Sequence, residues 1–187
     1  MKVKQLSVKL EGLSPIMFAR YAGDNKTQLP PEEKLYKNDK GQLVFPALNL
    51  MAFLSNQNAT CAARAIGGKR WKAIGQACLS YVSISPVDVP FTAQGKPIMA
   101  DDKSKIEVLF HVARMKKGAL VIPNPVHRPV LHDPWELAFT VSLLQNPELD
   151  AHMLKEMFTV GGMAVALGTF RPVYGKFSVA EFKEISA

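Results

Sequence analysis

No aspartate or glutamate lies between Gly41 and Val87, and none between Val108 and His132. The first tract holds Arg64, Lys69, Arg70 and Lys72, and the second holds Arg114, Lys116, Lys117 and Arg128. Clustered positive charge gains free energy by releasing counterions from a phosphate chain, so two acid-free basic tracts point to a polyanionic partner. Across 187 residues, 23 Lys and Arg against 16 Asp and Glu give a formal charge of +7. Cysteine is scarce as well. Cys61 and Cys78 stand alone, with no CxxC and no paired metal spacing, which reads as reduced thiols in a cytoplasmic protein. His111, His127, His132 and His152 share no zinc-type spacing, so no metal is expected. There is no GK[ST] after a glycine loop and no GxSxG, which excludes a P-loop and a nucleophile elbow. The methionines show no cofactor pattern and none is expected. No apolar run approaches bilayer-spanning length, and the opening MKVKQLSVKLEG has no signal-type core, so no membrane partner is expected.

With 48% hydrophobic residues the chain has enough apolar material for one well-packed domain over 1–187. Val3, Leu6, Val8 and Leu10 alternate with polar residues and predict a first strand. The polar stretch 21–41 predicts a long irregular excursion, and 91–105 a second one. Asn49 is placed to cap a helix from Leu50 to Ile66, stopped by Gly67 and Gly68. Trp71 to Leu79 continues as a short helix, and Tyr81 to Val89 reads as a strand broken by Pro86. Ile106 to Met115 predicts a strand with Ala119 to Ile122 as its hairpin partner, after which Pro123, Pro125, Pro129 and Pro134 punctuate the chain. Trp135 to Leu144 is strand-like, Glu148 or Asp150 opens a second helix ending near Leu167, and Tyr174 to Ile185 is the last strand. Strand, helix, strands, helix, strand is the ferredoxin-like α+β order, here with long inserted loops.

The stretch around which the rest is organised is GGMAVALGTFRPVYGKF, Gly161 to Phe177. Gly168 and Gly175 let a backbone approach a ligand closely, and Phe170, Arg171, Tyr174 and Lys176 interleave aromatic with basic side chains suited to bases and phosphates. That stretch resembles the glycine-rich loop of the RAMP superfamily of CRISPR effector proteins, and GQLVFPALNLMAFLSN, Gly41 to Asn56, resembles that superfamily's entry into its first helix. The resemblance implies an RNA-recognition-like fold of the kind found in the backbone subunit of CRISPR surveillance complexes. That subunit grips guide RNA by its phosphates and stacks into a filament. Asn49 then falls where the family places a polar group near a phosphate, and Gly168, Arg171 and Gly175 fall in the glycine loop. The chain departs from the family pattern where Leu48 and Asn49 replace the usual Ser-Ser pair and Met51 and Ala52 replace the following Lys-Gly, so one phosphate contact is missing.

The leading function is therefore binding of single-stranded nucleic acid, most of all guide RNA, by a non-catalytic module that assembles along the strand with copies of itself or with effector subunits. Phosphates are expected at Asn49, Arg64, Lys69, Arg70, Lys72, Arg114, Lys116, Lys117, Arg128, Arg171 and Lys176, and bases on Trp71, Phe170 or Tyr174. The alternative is a mimic of the backbone subunit, carried by a virus or mobile element, that inhibits or caps an effector complex. A third reading makes the acidic loop holding Asp24, Glu32, Glu33 and Asp39 a metal-dependent ribonuclease site, because such cleavage needs carboxylates to hold a hard cation.

Overall fold

The computed structural model describes residues 2–24, 26–55 and 60–185. In chain order its elements are β1 (Val3–Gly12), β2 (Ile16–Met17), β3 (Val44–Pro46), α1 (Ala47–Ser55), α2 (Ala62–Ile66), α3 (Trp71–Tyr81), β4 (Val82–Ser85), β5 (Asp88–Ala93), β6 (Lys96–Pro97), β7 (Ile106–Lys117), β8 (Leu120–Leu131), β9 (Glu136–Leu144), α4 (Ala151–Ala164) and β10 (Phe177–Ile185). β1 carries the alternation expected of it: Leu6, Val8 and Leu10 are buried, each burial contributing about 1.5–3 kcal/mol relative to exposure. Both of its edges are used, with β10 on one side and β9 on the other, all antiparallel. β4 and β5 both pair with β9, so the sheet runs last, first, third, second among the four principal strands. With α1–α3 between the first and second of these and α4 between the third and fourth, the fold is ferredoxin-like α+β.

The helices cover one face of this sheet through an aromatic core in which Phe53 meets Phe158 and Phe177 at centroid distances of 5.8 and 5.5 Å. α4 is capped by Asp150, whose carboxylate accepts from Met153 N at 2.7 Å. Its glycines set its depth. A Cβ on Gly161 would stand 2.6 Å from the Phe53 ring, and one on Gly162 2.4 Å from the Phe177 carbonyl oxygen. The helix stops at Ala164, three residues short of the expected Leu167. The outer face of the sheet presents Gln5, Ser7, Lys9, Thr140, Ser142, Glu181 and Lys183 by alternation, and Lys9 lies 3.2 Å from Glu136. None of these is aromatic, so the base-stacking sheet surface of an RNA-recognition motif is not built there.

Two helical expectations are corrected. The single helix from Leu50 to Ile66 is α1 and α2, with residues 56–59 outside the described residues. Asn49 is not its cap, because α1 already begins at Ala47. The chain enters α1 directly from β3, and the Ala47 amide donates to Val87 O at 2.7 Å, so the orphan donor at the helix start is satisfied by backbone.

The β8 strand is corrected too. It runs through Pro123, Pro125 and Pro129, where the sequence predicts breaks, and pairs with β7 over its whole length. All three prolines have the same parity in that register, opposite Arg114, Val112 and Val108. A strand residue of that parity turns its N–H and C=O away from the partner. The Pro129 carbonyl accordingly accepts from Phe18 N on the far side, at 3.0 Å. The missing proline donors therefore cost the ladder nothing, the circumstance in which proline is tolerated in a strand. β7 and β8 form a long hairpin inserted between β6 and β9, anchored at its foot by β2. Both cysteines are buried and unpaired, and burial pushes the Cys78 thiol up to about 12.

Candidate nucleic-acid interface

The loop from Gly168 to Lys176 is tied to β2 and the residues before it by backbone bonds, and to the hairpin by side chains. Thr169 N donates to Met17 O at 2.9 Å, Gly175 N to Pro15 O at 2.8 Å and Leu167 N to Gly175 O at 3.0 Å. Gly168 and Gly175 adopt φ of +79° and +77°, and a Cβ there would lie 2.5 Å from Met17 O and 1.9 Å from Leu167 O. The glycines thus admit protein backbone, a packing role beside the ligand approach expected of them. Phe170 is also left-handed, with φ of 55°, a conformation that costs of order 1–3 kcal/mol for such a residue. Its carbonyl accepts from Val173 N at 3.1 Å and Tyr174 N at 3.3 Å, and its ring lies under the Arg128 guanidinium at 4.8 Å.

Where this loop meets the first turn of α1 there is a cavity of about 260 Å³ lined by Asn49, Gly168, Thr169, Arg171, Tyr36 and Phe18, among others. Asn49 and Arg171 stand 122 positions apart in the chain, and the fold brings them to one wall. Beside the cavity Arg128 donates from Nη1 to Thr169 Oγ1 at 2.9 Å. Burial holds the pKa of Arg128 below the usual arginine value, and that of Arg171 likewise. Lys34 donates to the His127 carbonyl at 2.7 Å, and its pKa is lowered by burial and by the Arg128 charge. Among the described residues no carboxylate forms an ion pair with Lys34, Arg128 or Arg171. Cations that have lost part of their hydration and have no counter-charge gain from an anion supplied from outside. The His111 ring also sits 5.2 Å from Phe170 and meets Tyr174 edge-on at 5.8 Å, while its Nε2 is buried with no hydrogen-bond partner among the described residues.

The other expected contacts are dispersed. Arg64 and Lys72 place their charges 5.5 and 5.8 Å from the Trp71 ring, a cation–π group at the α2–α3 corner. Arg70 is paired with Glu148, an acid that arrives from outside the acid-free tract, so separation in sequence does not keep that charge free. Lys69 is exposed. Arg114 and Lys116 are exposed on β7 and belong to the alternate face from Arg128 in the hairpin register, while the Lys117 side chain lies outside the described residues. Lys176 is half-buried at the end of the loop, its amide donating to Ser14 Oγ at 3.0 Å. Of the loop acids, Asp24 closes a turn by accepting from Lys26 N, Thr27 N and Thr27 Oγ1, which lowers its pKa. Glu32 and Glu33 sit in a 3-10 turn, Pro31–Lys34, and no three His, Cys, Asp or Glu among the described residues are grouped to hold a metal ion. Sequence reasoning missed Lys34, His111 and Thr169. Lys34 stands among acids and His111 in a hydrophobic strand, and only Thr169, next to Gly168, carried a local signal.

Fold and cavity together define a class: a ferredoxin-like α+β protein with a basic, aromatic-edged cleft where its first helix meets a C-terminal glycine loop. No family model and no curated protein sequence matches the chain. Among solved structures it is similar to a chain in the cryo-EM structure of the type III-B Cmr-beta bound to cognate target RNA, with a TM-score of 0.56 and 14% identity. The match covers 99% of this chain and 61% of that one, so the chain spans about three-fifths of its neighbour's length. At that identity the likeness is one of fold. No helix is long and apolar enough to cross a membrane among the described residues.

Proposed function

We propose that the protein binds single-stranded RNA as a non-catalytic, backbone-type subunit related to those of CRISPR effector complexes, with copies assembling along the strand. The observation that carries this reading is the convergence of Asn49, Thr169 and Arg171 on one cavity beside Arg128 and Phe170, with no carboxylate paired to either arginine among the described residues. A phosphate fits the Arg171 and Asn49 wall, where α1 begins. A base stacks on the exposed side of the Phe170–Arg128 pair or on Tyr174. The likeness in fold to a chain of an RNA-bound effector complex supports the same assignment.

The test is salt-dependent binding of a single-stranded RNA, followed by fluorescence anisotropy. Affinity is expected to fall steeply with salt, since each neutralised phosphate adds to the slope. Arg171→Ala is expected to weaken binding about tenfold while leaving the melting temperature nearly unchanged, because its side chain makes no ion pair among the described residues. A flat salt dependence sinks the proposal, and a variant that unfolds makes Arg171 structural.

A further inference from the structure

The β7–β8 hairpin has two long edges, and they are treated differently. Along β8 every outward-facing position from 123 to 129 except His127 is a proline, so that edge offers almost no backbone donor. Along β7 the outward positions are Val108, Phe110, Val112 and Arg114, since these stand opposite the proline-parity residues of β8. Ile106, one step earlier in the same parity, confirms the direction: its N–H leaves the hairpin and donates to Asp102 O at 2.9 Å. Beyond it, among the described residues, no strand pairs with β7 on that side. An edge of this length left open is a template for another strand.

The side chains of the same residues lie together on the exposed face. Val108 is 49% exposed, Phe110 58% and Val112 54%, an apolar row on a projecting element. At its foot the row runs into a cavity of about 690 Å³, whose lining includes Val108, Leu35, Met99, Ile106 and Pro129. Towards the tip the row ends in Arg114 and Lys116, within a stretch that has no acid. We infer that the free edge of β7 is a docking site for an extended segment of a partner protein, added as a fourth strand to the β2–β8–β7 sheet. The partner segment carries, at alternate positions of one parity, apolar residues towards the foot and acidic residues towards the tip, because Val108, Phe110, Val112, Arg114 and Lys116 all share one face. Its backbone pairs with Val108, Phe110, Val112 and Arg114, one apolar side chain enters the cavity beside Val108, and its carboxylates meet Arg114 and Lys116. RNA offers no regular row of backbone donors and acceptors at strand spacing, and a second β7 has no acid among its residues of that parity from Ile106 to Lys116 to meet Arg114 and Lys116, so a peptide of opposite charge fits best. This site is distinct from the cavity at Arg171 and does not rest on the RNA reading.

The probe is an acetylated octapeptide with glutamate, glutamate, valine and valine at successive alternate positions and threonine between them, added to the full chain. Binding is expected with amide-exchange protection at Val108, Phe110, Val112 and Arg114. Methylating the peptide nitrogens of one parity should abolish it, while methylating the other parity should leave it unchanged. Val112→Pro removes one outward donor without touching the β8 ladder and should weaken the peptide roughly tenfold or more, with RNA binding preserved. The methylated peptides need no variant, so a Val112→Pro chain that misfolds leaves the test intact. Absence of peptide binding, or equal binding by both methylated forms, overturns the inference. Protection of these amides by RNA instead reassigns the edge to nucleic acid, and protection that grows with protein concentration alone reassigns it to a second copy.

Discussion

Arg171 and Gly175 are four positions apart in one loop and do opposite work. Arg171 reaches a cavity that Asn49 also lines and has no ion-pair partner among the described residues, so its removal is felt by a ligand. Gly175 faces the Leu167 carbonyl, and its φ of +77° is one that an L residue rarely adopts. Gly175→Ala is therefore expected to destabilise the fold by about 2–4 kcal/mol, combining a left-handed backbone with a collision against main chain that cannot swing aside. Thermal unfolding measures this, and an alanine variant as stable as the parent would mean that the loop is held less tightly than its hydrogen bonds indicate. From the letters alone the two kinds of residue look alike, since glycine next to basic and aromatic residues suits a ligand and a tight packing corner equally. Phe170 adds a left-handed non-glycine residue that no propensity would announce, fixed by Arg128 from a strand 42 positions away.

Among the elements, the hairpin departs most from its sequence pattern. Ile106 to Met115 alternates and is legible as a strand, whereas Leu120 to Leu131 holds three prolines and reads as loop. What admits it is parity, a property of the pair rather than of either strand. The prolines also have a protective role, because they leave the β8 edge without donors. Replacing Pro123 and Pro125 together by valine restores two outward N–H groups on an exposed hydrophobic strand. The double variant is expected to keep the hairpin and to self-associate, seen as a concentration-dependent rise in light scattering. If it remains monomeric at concentrations where the parent does, the prolines have no edge-blocking role. The α1 start shows the same limit of local reading: Asn49 has the chemistry of a cap, but the helix begins earlier, at Ala47, whose amide is met by the Val87 carbonyl from the turn between β4 and β5.

At the scale of the whole molecule the basic residues divide into groups with different surroundings. Lys34 and Arg128 are half-buried and Arg171 is exposed beside the same cavity, and none of the three has an acidic partner among the described residues, while Arg64 and Lys72 flank Trp71, Arg70 is neutralised by Glu148, and Arg114 and Lys116 sit out on the hairpin. A net charge of +7 is therefore a poor guide to how many phosphates are met at one site. If copies assemble head to tail, the rotation between them stays open and the number bound grows with the strand. Mass measurement of complexes on RNAs of increasing length is expected to show added copies at regular increments. A single copy on every length would favour a protein that caps or imitates a backbone subunit.

The sequence by itself determined the order of the principal elements and the buried faces of β1 and β9, because alternation of period two and the Asp150 cap are written in neighbouring residues. It also pointed to Asn49, Arg128, Phe170 and Arg171 as residues for a ligand. Tertiary structure alone decided that these lie together, that Glu148 removes Arg70 from the unpaired set, and that a proline-bearing segment is a strand with an open edge beside it. Each of those depends on which residues from distant parts of the chain meet, and a meeting across the sheet leaves no mark in the spacing of either partner.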